Sequence, residues 1–271
     1  MTMAPDVATT VDAFLSGLVE AVQPDDGGHR SGLEAVLIAA AIETGFDGTL
    51  VDLGAGSGIA GMCVAARCPG ASIVLVERDR DAVAAARASL ARPANRAFAG
   101  RVAIVATDIA APESQRLADG LDRDFADAAI LNPPFYDSDV GTLSPHARRA
   151  DAHVIGGGGL EPWIRAAASV LRPGGRLVVV YRADGIGELL AAFAGRFGDA
   201  AVLPIHPRAN RPAHRVLVRA IKGSRARPAL LFGLTLHGEK GGAYLPPVEA
   251  ILRDGAGLAD THPAWASGRP G

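Results

Sequence analysis

The chain has 271 residues, with 27 Lys and Arg against 29 Asp and Glu, and 49% of its residues are hydrophobic. That length allows one large domain with a substantial core. The near-neutral charge excludes a globally basic nucleic-acid binder, so any RNA contact must rest on local patches. No apolar run approaches the roughly 18 residues that span a bilayer, and an N-terminus carrying Asp6 and Asp12 lacks the basic start of a signal peptide. A cytoplasmic protein with no membrane partner is expected. Cys63 and Cys68 match no metal spacing and read as reduced packing residues, and the histidines show no zinc pattern, so no metal is expected.

In chain order, Val11 to Val22 reads as a short helix ended by Gln23-Pro24-Asp25-Asp26-Gly27-Gly28. Ser31 is a candidate N-cap for a second helix with Leu33, Val36, Leu37, Ala40 and Ala41 at helical spacing. Residues 1–48 are therefore expected to be N-terminal helices packing over a ligand site, with His29 and Arg30 near its mouth.

Val51-Asp-Leu-Gly-Ala-Gly-Ser-Gly-Ile-Ala-Gly61 then reads as strand, turn and helix of a parallel α/β unit. Gly54, Gly56 and Gly58 remove Cβ atoms where the backbone turns and a ligand comes close. Helix-terminal N–H groups there can receive an anion such as a carboxylate. Gly56 to Gly61 also fits the dinucleotide pattern G-x-G-x-x-G, with Glu77 as the acid further on. Asp52 argues against that reading, because a carboxylate repels a pyrophosphate and attracts an ammonium.

Ile59, Met62, Cys63 and Ala66 form a buried helical stripe, and Ser72 to Val76 a buried strand. Glu77 follows at the strand's carboxyl end, where open α/β sheets bind ligands, and its two oxygens can accept both hydroxyls of a ribose. The plain alternative is a surface glutamate. Asp81 to Leu90 reads as a helix, Arg101 to Ala106 as a third strand followed by Thr107-Asp108-Ile109, and Phe125 to Leu131 as a fourth strand leading into Asn132-Pro133-Pro134-Phe135.

Tyr136 to Gly159 lacks periodicity and carries Arg148, Arg149, His153 and four consecutive glycines; it reads as a hinge or lid, or as a floppy insertion. A helix through Trp163, Ile164, Ala167, Val170 and Leu171 stops at Pro173-Gly174-Gly175. Strand Arg176–Tyr181, a helix through Ile186, Leu189, Leu190, Phe193 and Phe197, and strand Ala201–Ile205 follow. The loop from His206 to Arg215 holds Arg208, Arg211, His214 and Arg215, which read either as a solvated charged face or as phosphate contacts. Strand Val216–Ile221, a final strand through Leu230, Phe232, Leu234 and Leu236, and a short helix over Pro247–Leu252 complete residues 49–253. Residues 254–271, rich in Gly, Ala and Pro, are expected to be a disordered tail.

Asp52-Leu53-Gly54-Ala55-Gly56-Ser57-Gly58 resembles the nucleoside-binding signature of class I S-adenosylmethionine (AdoMet) methyltransferases, and Asn132 to Phe135 resembles the Asn-Pro-Pro-aromatic motif of enzymes that methylate a planar nitrogen. With Gln23-Pro24, Gly28-His29-Arg30-Ser31-Gly32, Pro207-Arg208-Ala209 and His214-Arg215-Val216-Leu217, the order is similar to the bacterial tRNA(Val) adenine-N6 methyltransferase family from about residue 14 to 253. Phe135 stands for the family's more usual Tyr, and Glu34 for a common Asp.

The resemblance implies a Rossmann-like seven-stranded α/β sheet, mostly parallel with an antiparallel last strand and helices on both faces. It implies AdoMet as cofactor, held by Arg30, Asp52, Gly54, Ala55, Gly56, Gly58, Glu77, Arg78, Asp108, Ile109 and Asn132, with Asp108 receiving the adenine amine; a helix-capping Asp is the alternative for that residue. It implies Asn132, Pro133, Pro134 and Phe135 as the catalytic group. An RNA partner, a tRNA, would be contacted by Phe135, Arg208, Arg211, His214 and Arg215. The competing acceptors are a protein glutamine amide, an rRNA guanine or a small molecule, and the non-enzymatic reading is an AdoMet-binding RNA scaffold. The oligomeric state is not legible.

Overall fold

The computed structural model describes residues 9–24, 32–133 and 159–266. Arg30, Pro134, Phe135 and nearly all of the expected lid over 136–159 lie outside the described residues. Strands β3 (Thr49–Leu53), β4 (Ser72–Glu77), β5 (Val102–Ala106), β6 (Ala126–Leu131), β7 (Leu171–Arg182), β8 (Phe197–Arg208) and β9 (Arg215–Lys222) form the body of one sheet in the order β8-β9-β7-β6-β3-β4-β5. The strands from β7 to β5 pair in parallel, and β9 runs antiparallel to both β7 and β8, as expected of the last of seven strands. Two short strands, β10 (Ala229–Leu230) and β11 (Leu234–His237), pair in parallel with the outer edge of β8 and bring the sheet to nine.

Side chains alternate between the two faces. Leu50, Ile73, Leu75, Ile130, Val178 and Val180 pack under helices α1 (Leu33–Ala40) and α2 (Ile59–Arg67), while Val51, Leu53, Ala129, Leu131, Leu177 and Val179 pack against the other face. Helix α3 (Arg80–Leu90) lies on the first side; α4 (Arg96–Ala99) and α5 (Glu113–Ala118) flank β5 in sequence. On the second face lie α6 (Glu161–Val170) and α7 (Ile186–Phe193).

The N-terminal helix read over Val11–Val22 is not formed. The segment is a hairpin of β1 (Thr9–Phe14) and β2 (Val19–Pro24), separate from the main sheet. Val19, Ala21 and Gln23 alternate inward along β2 and are buried. The backbone of β2 finds its second set of partners on side chains: Val22 N–H donates to Ser89 Oγ (2.8 Å) and Glu20 N–H to Asn95 Oδ1 (3.0 Å). Those bonds are what an isolated hairpin needs, since three strands or a packed face are otherwise required for stability.

The expected disordered tail is also corrected as far as Ala266. After α8 (Pro246–Asp254) come two short helices, α9 (Leu258–Thr261) and α10 (Pro263–Ala266). Trp265 is 2% exposed and its Nε1 donates to the Ala41 carbonyl (3.2 Å), while Arg67 Nε donates to the Gly255 carbonyl (2.8 Å). One aromatic anchor and one cation thus order a segment whose composition looks flexible.

Candidate functional site

The strand order reverses direction at β3, which has β4 on one side and β6 on the other; such a switch point opens a crevice at the carboxyl ends of the strands. The register decides what meets there. Leu53 is opposite Leu131 on β6 and Val76 on β4, and Glu77 is opposite Ala106 on β5. Asn132, Gly54, Glu77 and Asp108 therefore leave four neighbouring strands at one sheet edge, each about 4.8 Å from the next in strand spacing.

The glycine turn is held from beneath. Gly54 and Ala55 N–H donate to the Val76 carbonyl (2.8 and 3.0 Å), and Gly58 N–H donates to the Ala55 carbonyl (2.8 Å) before α2 begins. Gly54, Gly56 and Gly58 take φ values of 71°, 56° and 82°, the left-handed region that disfavours a side chain. Their surroundings differ. A Cβ on Gly54 would stand 2.5 Å from the Trp163 ring and one on Gly58 2.6 Å from Leu75, whereas no heavy atom lies within 4 Å of a Cβ on Gly56. Gly54 and Gly58 serve packing; Gly56 faces open space at the crevice.

Asp52 shares the α2 face with Leu50, and it is 3% exposed. Its Oδ2 accepts the Gly61 N–H at 2.9 Å, so it ties the first turn of α2 to β3. Burial pushes its carboxyl up to about 7, against the lowering effect of that hydrogen bond and with a further rise from the Glu77 charge. Glu77 Oε2 accepts the Gly56 N–H (2.8 Å), and Oε1 accepts the Arg78 and Asp79 N–H groups (2.8 and 2.9 Å). This carboxylate thus links the glycine turn to the loop after β4.

Asp108 Oδ1 accepts the Ala110 N–H (2.8 Å) and Oδ2 meets Arg78 Nη1 (3.0 Å). That pair is over a third exposed on both sides, so it orients the two side chains and adds little stability. The loop is fixed by Arg116 and Asp119, two residues the sequence reading missed. Buried Arg116 donates to the Ile109 and Ala111 carbonyls (2.9 and 3.1 Å), and Thr107 Oγ1 donates to Asp119 Oδ2 (2.6 Å). Neither stands in a motif, so no local signal announced them.

Asn132 is half-buried and Pro133 buried. By the β6–β7 register, Pro133 falls beside Tyr181, another residue without a sequence signal. Tyr181 is 4% exposed and its hydroxyl donates to Glu188 Oε2 (3.1 Å); burial, then the Glu188 charge, pushes its hydroxyl up to about 12. Trp163, which the sequence places only in a helix stripe, closes the underside of Gly54 with its ring.

The basic loop lies at the same edge, beyond β7 and across β9 and β8, with two of its arginines engaged. Arg208 donates to the Gly238 carbonyl, and its Nη2 to the Gly241 carbonyl at 2.6 Å. Arg215 Nε stands 3.3 Å from Glu34 Oε1 of α1. Arg211 and His214 are exposed. Among the described residues no group of three His, Cys, Asp or Glu is arranged to hold a metal ion, and no helix is long and apolar enough to cross a membrane. Burial pushes the Cys63 thiol up to about 12, which makes it inert.

These features fit AdoMet. The open space beside Gly56 and the start of α2 suit its amino-acid part, the carboxylate at the end of β4 suits its ribose, and Asp108 with apolar Ile109 suits its adenine.

The family model of the methyltransferase small domain matches residues 33–203. The tRNA1(Val) (adenine(37)-N6)-methyltransferase of Pedobacter heparinus is 27% identical over 231 residues, covering 83% of this chain and 90% of that protein. A release factor glutamine methyltransferase of Chlorobaculum tepidum is 27% identical over 181 residues, 65% of this chain and 59% of that protein. Among solved structures, that of a predicted O-methyltransferase from Agrobacterium tumefaciens is 34% identical, with a TM-score of 0.69, covering 80% of this chain and 94% of that one.

Proposed function

The chain belongs to the methyltransferase small domain family, and on that premise we propose that this AdoMet-dependent methyltransferase modifies the exocyclic amino nitrogen of an adenine in RNA, specifically a tRNA. The reading rests on one observation above all: Asn132 leaves β6 directly beside the point where Gly54 leaves β3. Bound over the glycine turn, the cofactor supplies a methyl group carried on a sulfonium.

The chain's own residues prepare the acceptor. An adenine amine is a poor nucleophile because its lone pair is delocalised into the ring. The Asn132 side-chain oxygen and the Pro133 carbonyl accept its two N–H bonds, which localises that lone pair and aims it. Pro133 and Pro134 restrict φ and so hold this geometry in advance. Phe135 stacks on the base, an interaction worth ~1–3 kcal/mol in single-strand binders. No strong base is required, because the neutral amine sheds its proton only after it has been alkylated.

The Agrobacterium relative is named a predicted O-methyltransferase; a hydroxyl oxygen as acceptor calls for proton removal, and an amide side chain such as Asn132 cannot act as that base. A glutamine amide nitrogen is planar too, and the Chlorobaculum relative keeps that acceptor as the second reading. Asn132→Ala tests the mechanism: methyl transfer falls by on the order of 100-fold or more while AdoMet affinity holds. Undiminished turnover in that variant would end the proposal.

A further inference from the structure

The cations of this chain are segregated. Residues 200–238 hold seven of the 27 Lys and Arg, namely Arg208, Arg211, Arg215, Arg219, Lys222, Arg225 and Arg227, and none of the 29 Asp and Glu. Four of the seven have structural partners: Arg208 and Arg219 on backbone carbonyls, Arg215 on Glu34, and Lys222 on Asp124 (2.6 Å). Arg211, Arg225 and Arg227 are exposed and form no ion pair among the described residues.

Residues 225–237 run along the outside of β8 towards the sheet edge that carries the site. Asp199 N–H donates to the Ala226 carbonyl (2.9 Å), Ala229 is opposite Ala201, Leu234 opposite Ile205 and His237 opposite Arg208. Arg208, by holding the Gly238 and Gly241 carbonyls, fastens the upper end of this segment to β8. Between its ends stand the two most exposed large hydrophobic residues among those described, Leu230 at 77% and Phe232 at 62%. The Phe232 ring stacks on buried His262, centroids 4.1 Å apart at 27°, which braces one side of the ring and leaves the rest to solvent.

We infer that this outer edge is a docking track for the RNA that brings the acceptor base, with Arg225, Arg227 and Arg211 taking phosphates and Phe232 stacking an unpaired base. The inference rests on the RNA reading above. Cations spaced along an edge with an aromatic platform between them match the backbone and bases of a single-stranded segment. A second copy of the chain fits less well, because pairing this edge with itself would bring like charges together.

The full chain, bulk tRNA and a series of KCl concentrations test it, with AdoMet calorimetry as a check on the cofactor site. Arg225→Ala with Arg227→Ala lowers the salt slope of tRNA binding by about 1.4 to 1.8, since each phosphate contact contributes about 0.7 to 0.9. Phe232→Ala weakens binding roughly 5- to 150-fold with the slope kept. Phe232→Trp restores it, which guards against a folding defect at the His262 stack. Unchanged tRNA affinity and slope in these variants, while the wild-type chain still methylates tRNA, overturn the docking track alone. A wild-type chain that neither binds nor methylates RNA overturns the RNA reading along with it. A Phe232→Ala chain that loses self-association in sedimentation but keeps tRNA affinity makes the edge a protein interface, and overturns the inference.

Discussion

The three glycines of the turn make separable predictions, because the space around them differs. In Gly54→Ala the new Cβ stands 2.5 and 2.7 Å from two ring carbons of Trp163, on a residue with φ of 71°. The left-handed backbone costs about 1–2 kcal/mol for a residue with a Cβ, and the overpacking against a buried indole adds about 1–3 kcal/mol. Gly56→Ala, with φ of 56° and no heavy atom within 4 Å, bears only the backbone cost. Urea unfolding should therefore place Gly54→Ala below Gly56→Ala by about 1–3 kcal/mol.

A second substitution isolates the clash. Trp163→Leu removes the ring, so in a double-mutant cycle with Gly54→Ala it recovers about 1–3 kcal/mol of coupling while the backbone cost persists. Cofactor binding should rank the glycines the other way. A methyl on Gly56 projects into the crevice and weakens AdoMet binding about tenfold or more, read by calorimetry. Equal stability of the two alanine variants, or a Gly56→Ala chain that binds AdoMet within twofold of wild type, would refute this division of roles.

Asp52 predicts a pH signature. Its carboxyl is raised to about 7 in the folded chain from 3.8, so the folded state holds the proton more tightly than the unfolded one. The contribution of Asp52 to stability is then full below about pH 4 and is lost as pH rises towards 7. Relative to Asp52→Asn, which keeps an acceptor for the Gly61 N–H, the wild-type chain should lose stability across that window and run level above it; a pH-independent difference in urea midpoints would contradict this. Trp265→Ala should cost about 3–5 kcal/mol, because it empties a buried site and removes the bond to the Ala41 carbonyl. A loss within 0.5 kcal/mol, the level of an ordinary surface change, would show that the segment after Gly255 is not docked.

The sheet was legible where chemistry and periodicity agreed. The run from Val51 to Gly61 announced strand, turn and helix, and Glu77 and Asp108 fell at strand ends because buried parallel strands read as continuous apolar runs. The hairpin is hidden in the sequence because Val11, Leu15, Leu18 and Val22 are spaced as on one helix face. In the fold Leu15 is buried while Val11 and Leu18 are exposed, and the partners that settle the matter, Ser89 and Asn95, lie about 70 residues away in sequence. The same remoteness hid Trp163 beneath Gly54 and Arg116 beneath Ile109. Composition misjudged the C-terminal segment, since a single tryptophan outweighs many small residues. The role given to Asp52 is narrower than an open charge for an ammonium: its carboxylate is buried against Gly61.

The most direct test is to incubate the purified chain with isotopically labelled AdoMet and unmodified tRNA, then digest the RNA and identify the labelled nucleoside by mass spectrometry. The account predicts label in N6-methyladenosine, and its loss in Asn132→Ala. Label confined to another nucleoside, to an oxygen, or to a glutamine of added release factor would contradict it.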